Sequence, residues 1–266
     1  MSQSPALINY TLHLADDSLI LGHRNSEWTG YGPVLEQDIA ISNIALDQIG
    51  QARNFYQYAS SLINESAKTE PLPQFPSAAP VTEDTLAYLR DAWDFKNCLL
   101  VEQTNGDWAK TILRQFFFSA YQSLLYERLQ HSKDNDLAAI SEKAYKEVAY
   151  HLRWSSEWVI RLGDGTPESH ARILTALESL WKFTGELLLP SGYEQELAAN
   201  EIIADLSTLR TDWLAKVNEV FTEAGLSIPA STWMQTGGKD GRHTEELGYI
   251  LAEMQFLQRA YPACEW

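Results

Sequence analysis

The sequence predicts an all-α fold, a bundle of long helices, and three observations support it. Apolar residues recur at helical spacing in several stretches that are long enough to cross a bundle. Glycine, proline and Asn-Gly signals separate these stretches and leave short connections. No segment shows the alternation of a strand, and Gly237-Gly238-Lys239 lacks the spacing and preceding strand of a phosphate loop. Long helices joined by short loops pack as a bundle.

Four long helices are predicted in the first 163 residues. The first spans about residues 10–22, and the second spans about 34–63 and is expected to be buried because its middle is apolar nearly all round. A proline-rich connector at 70–80 and a short helix from Thr82 to residue 95 follow. The third helix spans about 107–129. The fourth is capped by Asp134 and includes 141–162.

Three further helices are predicted, over about residues 167–188, 206–224 and 245–259, with Thr244 as the cap of the last. We found no internal linker of suitable composition. The sequence therefore predicts one domain over 1–266, with a core bundle at about 8–163 and additional helices at about 167–261.

Composition narrows the functional classes. The chain has 266 residues and a formal net charge of −16, which disfavours binding to nucleic acid through phosphates. Its two cysteines match no metal or redox spacing. No apolar run approaches a membrane span, and residues 1–15 do not resemble a signal peptide. We expect a cytoplasmic protein without membrane contact.

The first pair of long helices can be tested for the ligands of a di-iron bundle. Such a bundle takes a Glu from one helix and a Glu-x-x-His from the next, because residues i and i+3 project from the same face. The first helix offers Asp16 or Asp17. The second offers Asp47-x-x-Gly50, in which an acid is present but glycine takes the place of the histidine.

The second pair of long helices departs from the same pattern. Residues 114–118 are basic or aromatic where a Glu is required. The fourth helix carries Val148-x-x-His151, so the histidine is present and the acid is absent. Two iron ions need several anionic ligands. We therefore predict no metal ligand and no catalytic residue in this chain, and expect His151 to be a hydrogen-bonded core residue.

The former ligand positions are thus Asp16, Asp47, Gly50, Val148 and His151. Asp16 and its neighbour Asp17 are interpreted as a solvated pair, because two adjacent acids are not expected to face a core together. In place of metal ligation, Asp16 and Asp47 are expected to take part in buried hydrogen bonds or ion pairs with one of three basic residues: Arg53, Arg114 or Lys146. His13 is expected at the surface or facing a partner.

Four stretches carry a resemblance to a known family. They are Asp47-x-x-Gly50-Gln51-Ala52-Arg53-Asn54-Phe55; Leu100-Val101-Glu102-Gln103-x-Asn105-Gly106; Lys146-Glu147-x-x-Tyr150-His151-Leu152-Arg153; and Thr236-Gly237-Gly238-Lys239-x-Gly241-x-His243-Thr244-Glu245, continued to Arg259. Through these stretches the chain resembles the C subunits of the bacterial phenylacetyl-CoA epoxidases. The resemblance covers nearly the whole chain, and these stretches are the residues that carry it.

The resemblance implies a ferritin-like fold and a non-catalytic structural subunit. It further implies a homologous A subunit that holds the di-iron centre and binds the CoA thioester, and a reductase that delivers electrons from NADPH. The complex would add one oxygen atom of O2 to the ring of phenylacetyl-CoA. No cofactor is expected in this chain. The interface with the A subunit is expected on the two early helices, over about residues 10–22 and 34–58.

Two alternatives remain open from the residues. The chain could be a di-iron oxygenase with an unusual ligand set: Asp16, Asp47, Glu147 and His151. It could instead be an acyl-CoA-binding bundle, in which a basic loop at 237–243 contacts a CoA phosphate. That loop carries Lys239, Arg242 and His243. A loop that its glycines order against the bundle is the simpler interpretation.

Overall fold

A computed structural model describes residues 4–67, 80–262 and 264, and these residues form helices and connecting loops without a β-strand. The helices are α1 (Pro5–Ser26), α2 (Leu35–Ala67), α3 (Glu83–Tyr88), α4 (Trp108–Leu129), α5 (Asn135–Gly163), α6 (Pro167–Leu180), α7 (Gly192–Ala199), α8 (Leu209–Glu223), α9 (Glu245–Met254) and α10 (Phe256–Ala260). Most of the predicted connector lies outside the described residues. No described helix combines the length and the apolarity needed to cross a membrane.

The core is a four-helix bundle built from two helix pairs. The most extensive packing joins α1 to α2 and α4 to α5, and α2 also packs against α5. The buried apolar residues form one connected cluster that extends from α1 to α9. This arrangement confirms the all-α, ferritin-like bundle with additional C-terminal helices. The single-domain boundaries stay a prediction.

Side-chain caps define where several helices begin. Asp134 accepts a hydrogen bond from the Leu137 amide and caps α5, as predicted. Thr82 caps α3, but that helix ends at Tyr88 and a 3₁₀ turn follows at Ala92–Asp94, so the predicted helix to residue 95 was too long. Thr244 precedes α9 without capping it. Its hydroxyl donates to Glu102 instead.

Helix α1 is buried almost all round, contrary to the prediction from its sequence. Asp16 and Asp17 are 0% and 2% exposed, and His13 is 0% exposed. The solvated acid pair and the surface histidine were therefore wrong predictions. The physical reason is that residues 96–98 supply backbone amides to both carboxylates, which replaces the water they lose on burial.

Helix α2 is less buried than predicted. Leu35, Ile39 and Leu46 are 70%, 52% and 67% exposed. They lie on one side of the helix, because they are separated by four and seven residues. No described part of the chain covers this side. Packing in the core of this chain therefore does not explain why these residues are apolar.

The C-terminal half differs from the prediction in detail. Helix α6 ends at Leu180, and two 3₁₀ turns, Trp181–Phe183 and Gly185–Leu188, replace its predicted last turns. Helix α7 was not predicted. The last predicted helix is divided into α9 and α10 at Gln255. The aromatic rings of α4 anchor this half to the bundle, since Phe117 packs against Trp181, Trp213 and Phe221.

The end of α5 offers a test of this packing. A Cβ added at Gly163 would lie 2.3 Å from the Ala224 carbonyl oxygen, whereas one added at Gly50 would meet nothing within 4 Å. We expect Gly163→Ala to lower the free energy of unfolding by about 1–3 kcal/mol, because α8 must move away. Gly50→Ala, the matched control, should raise it by about 0.5–1 kcal/mol through helix propensity. Urea unfolding of the isolated chain measures both, and equal effects would contradict the packing described.

Candidate functional site: the polar interior of the bundle

Three buried glutamines from two helices meet in the interior of the bundle. Gln48 Nε2 of α2 donates to Gln122 Oε1 of α4 over 3.0 Å, and Gln122 Nε2 donates back to Gln48 Oε1 over 3.4 Å. Gln122 Nε2 is also 3.4 Å from Gln51 Oε1 and 3.1 Å from the Tyr126 hydroxyl. The three glutamine side chains are at most 1% exposed. We call this set, together with His151, the amide layer.

The residues of the amide layer show that the predicted register of α2 was wrong. Gln48 and Gln51 face the interior, while Asp47 lies at its edge with its side chain 38% exposed and Gly50 faces outward. The inward side of α2 repeats at spacings of three and four residues through Ile41, Ile44, Gln48, Gln51 and Phe55. That periodicity was readable from the sequence. Because an acid stands at position 47, the residues predicted to face the interior were shifted by one position along α2. One position corresponds to a rotation of about 100° around a helix.

In α5 the predicted register is confirmed. Val148 and His151 are both 0% exposed and face the interior. His151 Nε2 lies 3.0 Å from Asp47 Oδ2, and its Nδ1 lies 3.5 Å from Gln48 Nε2. Gln48 can only donate in that contact, so a neutral imidazole that carries its proton on Nε2 satisfies both partners. The expected role of His151 as a hydrogen-bonded core residue is confirmed.

The stretch 114–118 of α4 does not face this layer. Arg114 donates to the Gln103 carbonyl and to Asn105 Oδ1, at the end of the bundle near the loop before α4. Gln122 holds the α4 position that contacts Gln48 and Gln51. Gln122 was not predicted, although it lies one helical turn before the buried Tyr126 and its polarity within an apolar helix was a usable signal.

The donor set of this layer does not fit a di-iron centre. Such a centre takes carboxylates from four helices and histidines from two, whereas the layer offers three neutral amides and one imidazole. Glu147 lies beside the layer and accepts a hydrogen bond of 2.9 Å from Gln51 Nε2. Across the part of the chain that the structure describes, no group of three or more His, Cys, Asp or Glu residues is arranged to hold a metal ion.

Asp16 lies away from the amide layer in a buried ion pair whose partner, Arg90, was not among the basic residues predicted. Arg90 donates to both of its carboxylate oxygens, the Lys96 amide donates to Oδ2 over 2.8 Å, and the Tyr56 hydroxyl donates to Oδ1. Arg53, one of the partners suggested from sequence, is exposed and lies near Glu83 instead. Asp16 therefore joins α1 and α2 to the loop before α4.

A second buried cluster surrounds the neighbouring Asp17. Its Oδ1 accepts from the Cys98 amide over 2.7 Å, and its Oδ2 lies 3.1 Å from His13 Nε2. On the other side of the ring, His13 Nδ1 lies 3.6 Å from Glu194, which forms an ion pair of 3.1 Å with Lys239. This series of buried polar contacts links α1 to α7 and to the loop before α9.

The loop at 237–243 is ordered against the bundle, as the simpler interpretation predicted. The Gly237 and Gly238 amides donate to Glu186 Oε1 over 2.7 and 2.8 Å. A Cβ at Gly238 would lie 2.3 Å from the Asn97 carbonyl oxygen, so only glycine fits there. Lys239 is 3% exposed and paired with Glu194. Of the three basic residues considered for a CoA phosphate, Lys239 and His243 are thus engaged inside the protein.

His243 fixes the end of this loop. Its Nδ1 lies 2.9 Å from Glu102 Oε2 and its Nε2 lies 2.9 Å from the Phe95 carbonyl oxygen. Both partners are acceptors, which favours the doubly protonated ring. Burial lowers the pKa of His243, but the hydrogen bond and the charge of Glu102 outweigh it and raise the pKa above the ordinary value.

Fold and interior together define a class of protein, a ferritin-like helix bundle whose interior carries amides. A family model described as "Phenylacetic acid catabolic protein" matches residues 1–266, and the chain belongs to this family. The chain is similar to the C subunit of 1,2-phenylacetyl-CoA epoxidase from Escherichia coli (strain K12). The two are 46% identical over 260 residues, which is 98% of this chain and 99% of the relative.

The Asp16–Arg90 pair predicts a large effect on stability. We expect Asp16→Asn to lower the free energy of unfolding by about 3–5 kcal/mol, because the Arg90 guanidinium stays buried without a counter-charge. Tyr56→Phe removes one hydrogen bond to the same carboxylate and should lower it by about 0.5–1.5 kcal/mol. Urea unfolding at neutral pH measures both. A loss in Asp16→Asn no greater than that in Tyr56→Phe would show that the charge pair contributes little.

The contacts of His243 predict a pH dependence. Because the folded pKa is raised, the stabilisation is fully present below about pH 6.5, the unfolded value, and is lost as the pH rises through the folded pKa. The difference in unfolding free energy between the unmodified chain and His243→Gln should therefore be largest near pH 6 and fall as the pH rises towards 9. Urea titrations across this range measure it, with the exposed His131→Gln as control. A difference that grew with pH would contradict the assigned proton.

Proposed function

We propose that this chain is the structural, non-catalytic subunit of a multicomponent di-iron monooxygenase that epoxidises the ring of phenylacetyl-CoA in aerobic phenylacetate degradation. The observation that carries the proposal is the amide layer: Gln48, Gln51 and Gln122 are buried and face the bundle interior, as the ligands of a di-iron bundle do, but none of them is a carboxylate or an imidazole. The 46% identity to a protein named as the C subunit of the epoxidase gives the reaction.

The proposal places the chemistry in a partner. A homologous catalytic A subunit would hold the di-iron centre and bind the CoA thioester, and a reductase would supply electrons from NADPH. This chain would carry no cofactor. Its contribution would be mechanical, since long helices that hold a metal centre need rigid neighbours to keep the ligands in place.

An exposed apolar surface on α2 supports the proposal that this chain binds a partner protein. The outer side of α2 presents Leu35, Ile39 and Leu46, followed by the exposed Gly50, all within about 60° of arc at 100° per residue. An exposed apolar stripe of this kind is typical of a protein–protein interface, and Gly50 lets another helix approach closely. We name this stripe the α2 face. Because α1 is buried within the chain, the interface expected from sequence on both early helices is assigned to α2 alone.

The alternative of a di-iron oxygenase with unusual ligands keeps one observation in its favour, the 3.0 Å contact between Asp47 and His151. The other two residues of that ligand set already have partners. Asp16 is paired with Arg90, and Glu147 is bonded to Gln51. Iron content separates this alternative from the structural subunit.

The α2 face predicts how a single substitution acts on assembly. When the chain is co-expressed with its tagged A-type partner, we expect the two to co-purify in equal amounts. Leu46→Asp should reduce the recovered chain at least tenfold, because a buried, unpaired carboxylate opposes the interface. Leu174→Asp, the same change at an exposed position of α6, should leave recovery unchanged. Circular dichroism of each variant controls for folding.

Metal analysis completes this experiment. Iron should be found with the A-type partner and not with the isolated chain. Stoichiometric iron in the isolated chain that is lost in His151→Ala would support the oxygenase alternative and overturn the structural role. A chain that never associates with the A-type partner would overturn the proposed assembly.

A further inference from the structure

The amide layer connects three of the four bundle helices through side chains alone. Gln48 and Gln122 form a reciprocal pair between α2 and α4, with donor–acceptor distances of 3.0 and 3.4 Å. Gln51 carries the connection from α2 to Glu147 of α5 over 2.9 Å. His151 of α5 closes it against Asp47 and Gln48 of α2. Each of the three glutamines thus has a partner for its side-chain oxygen and another contact for its nitrogen.

The positions of these side chains correspond to a ligand layer. Gln48-x-x-Gln51 on α2 and Val148-x-x-His151 on α5 both have the spacing of a Glu-x-x-His motif and both face the interior. Gln122 enters from α4 at the same level, since it touches both glutamines of α2. Glutamine has the shape of glutamate without its charge, so the substitution keeps the size of the side chain and removes the need for a cation.

We propose that the amide layer is a neutral cross-link that occupies a metal-ligand layer and holds α2, α4 and α5 in register without a metal ion. The proposal does not depend on the proposed function and stands whether or not the chain joins an epoxidase. It makes Gln48, Gln51 and Gln122 positioning residues of the bundle, with Gln48 and Gln122 in place of carboxylates, Gln51 in place of a histidine and Val148 in place of the remaining carboxylate of the two motifs.

Charge is the reason that amides suit this layer. Two or three carboxylates buried at this level would each lose their hydration and repel one another, and only a bound cation would offset this. Amides avoid the repulsion and satisfy one another by hydrogen bonds. The isolated chain therefore keeps a fixed bundle interior before it meets any metal or partner, which is the property that a rigid neighbour requires.

The first test restores one charge at a time without changing shape. Gln48→Glu and Gln122→Glu should each lower the midpoint temperature of unfolding at pH 8 by about 4–10 °C, because an unpaired carboxylate is buried. The loss should shrink towards pH 5, where the buried carboxyl takes up a proton more readily than in the unfolded chain. Gln195→Glu, at an exposed position of α7, is the matched control and should show no comparable loss. No loss in either interior variant would overturn the proposal.

The second test rebuilds the ligand set. The variant Gln48→Glu/Gln51→His/Gln122→Glu/Val148→Glu carries Glu-x-x-His on both α2 and α5. It should bind Co²⁺ with visible ligand-field absorption, and Co²⁺ should raise its unfolding temperature. The unmodified chain should show neither effect. If the quadruple variant does not fold, the double variant Gln48→Glu/Gln51→His is measured in the same way. The proposal would be overturned by stoichiometric Co²⁺ binding to the unmodified chain. It would also be overturned by a folded variant whose absorption and unfolding temperature do not change with Co²⁺.

Discussion

The burial of two adjacent carboxylates on α1 is the constraint on which the rest of the structure depends. Asp16 and Asp17 leave water together, so each requires a fixed set of donors. Asp16 obtains them from Arg90, Tyr56 and the Lys96 amide, and Asp17 from the Cys98 amide. The loop before α4 must therefore lie against α1. Because α1 is then covered by its own chain, the largest apolar stripe left on the early helices is the α2 face.

Charged and neutral polar groups occupy different parts of the molecule. The buried ion pairs lie where the loops join the bundle, as between Lys239 and Glu194 or His243 and Glu102. The interior between α2, α4 and α5 carries mainly amides. Loops need strong, directional contacts because they bury little apolar surface, whereas facing helices are held by packing. An interior of matched amides keeps that packing free of uncompensated charge.

The differences between prediction and structure have specific physical causes. Asp47 was predicted to be the ligand-like residue of α2, which places the inward-facing positions of this helix one residue away from Gln48. The spacing of three and four residues from Ile41 to Phe55 indicates the correct inward-facing positions. The loop at 237–243 was correctly expected to be ordered by glycine, but Lys239 was not expected to be buried. A lysine becomes buried only when the fold supplies a counter-charge, and Glu194 comes from α7, a helix the sequence did not predict.

The sequence by itself determined the helix bundle, most helix starts and the inward position of Val148 and His151, because helical periodicity and caps are local properties of the chain. The family followed from the resemblance of its motif stretches to known subunits. Only the tertiary structure decided which partners the buried polar groups receive. Asp16 meets Arg90 across 74 positions, and Gln48 meets Gln122 across an equal separation. Such pairings depend on how helices rotate and stack, and local sequence patterns do not encode them. The amide layer became visible for this reason only in the folded chain.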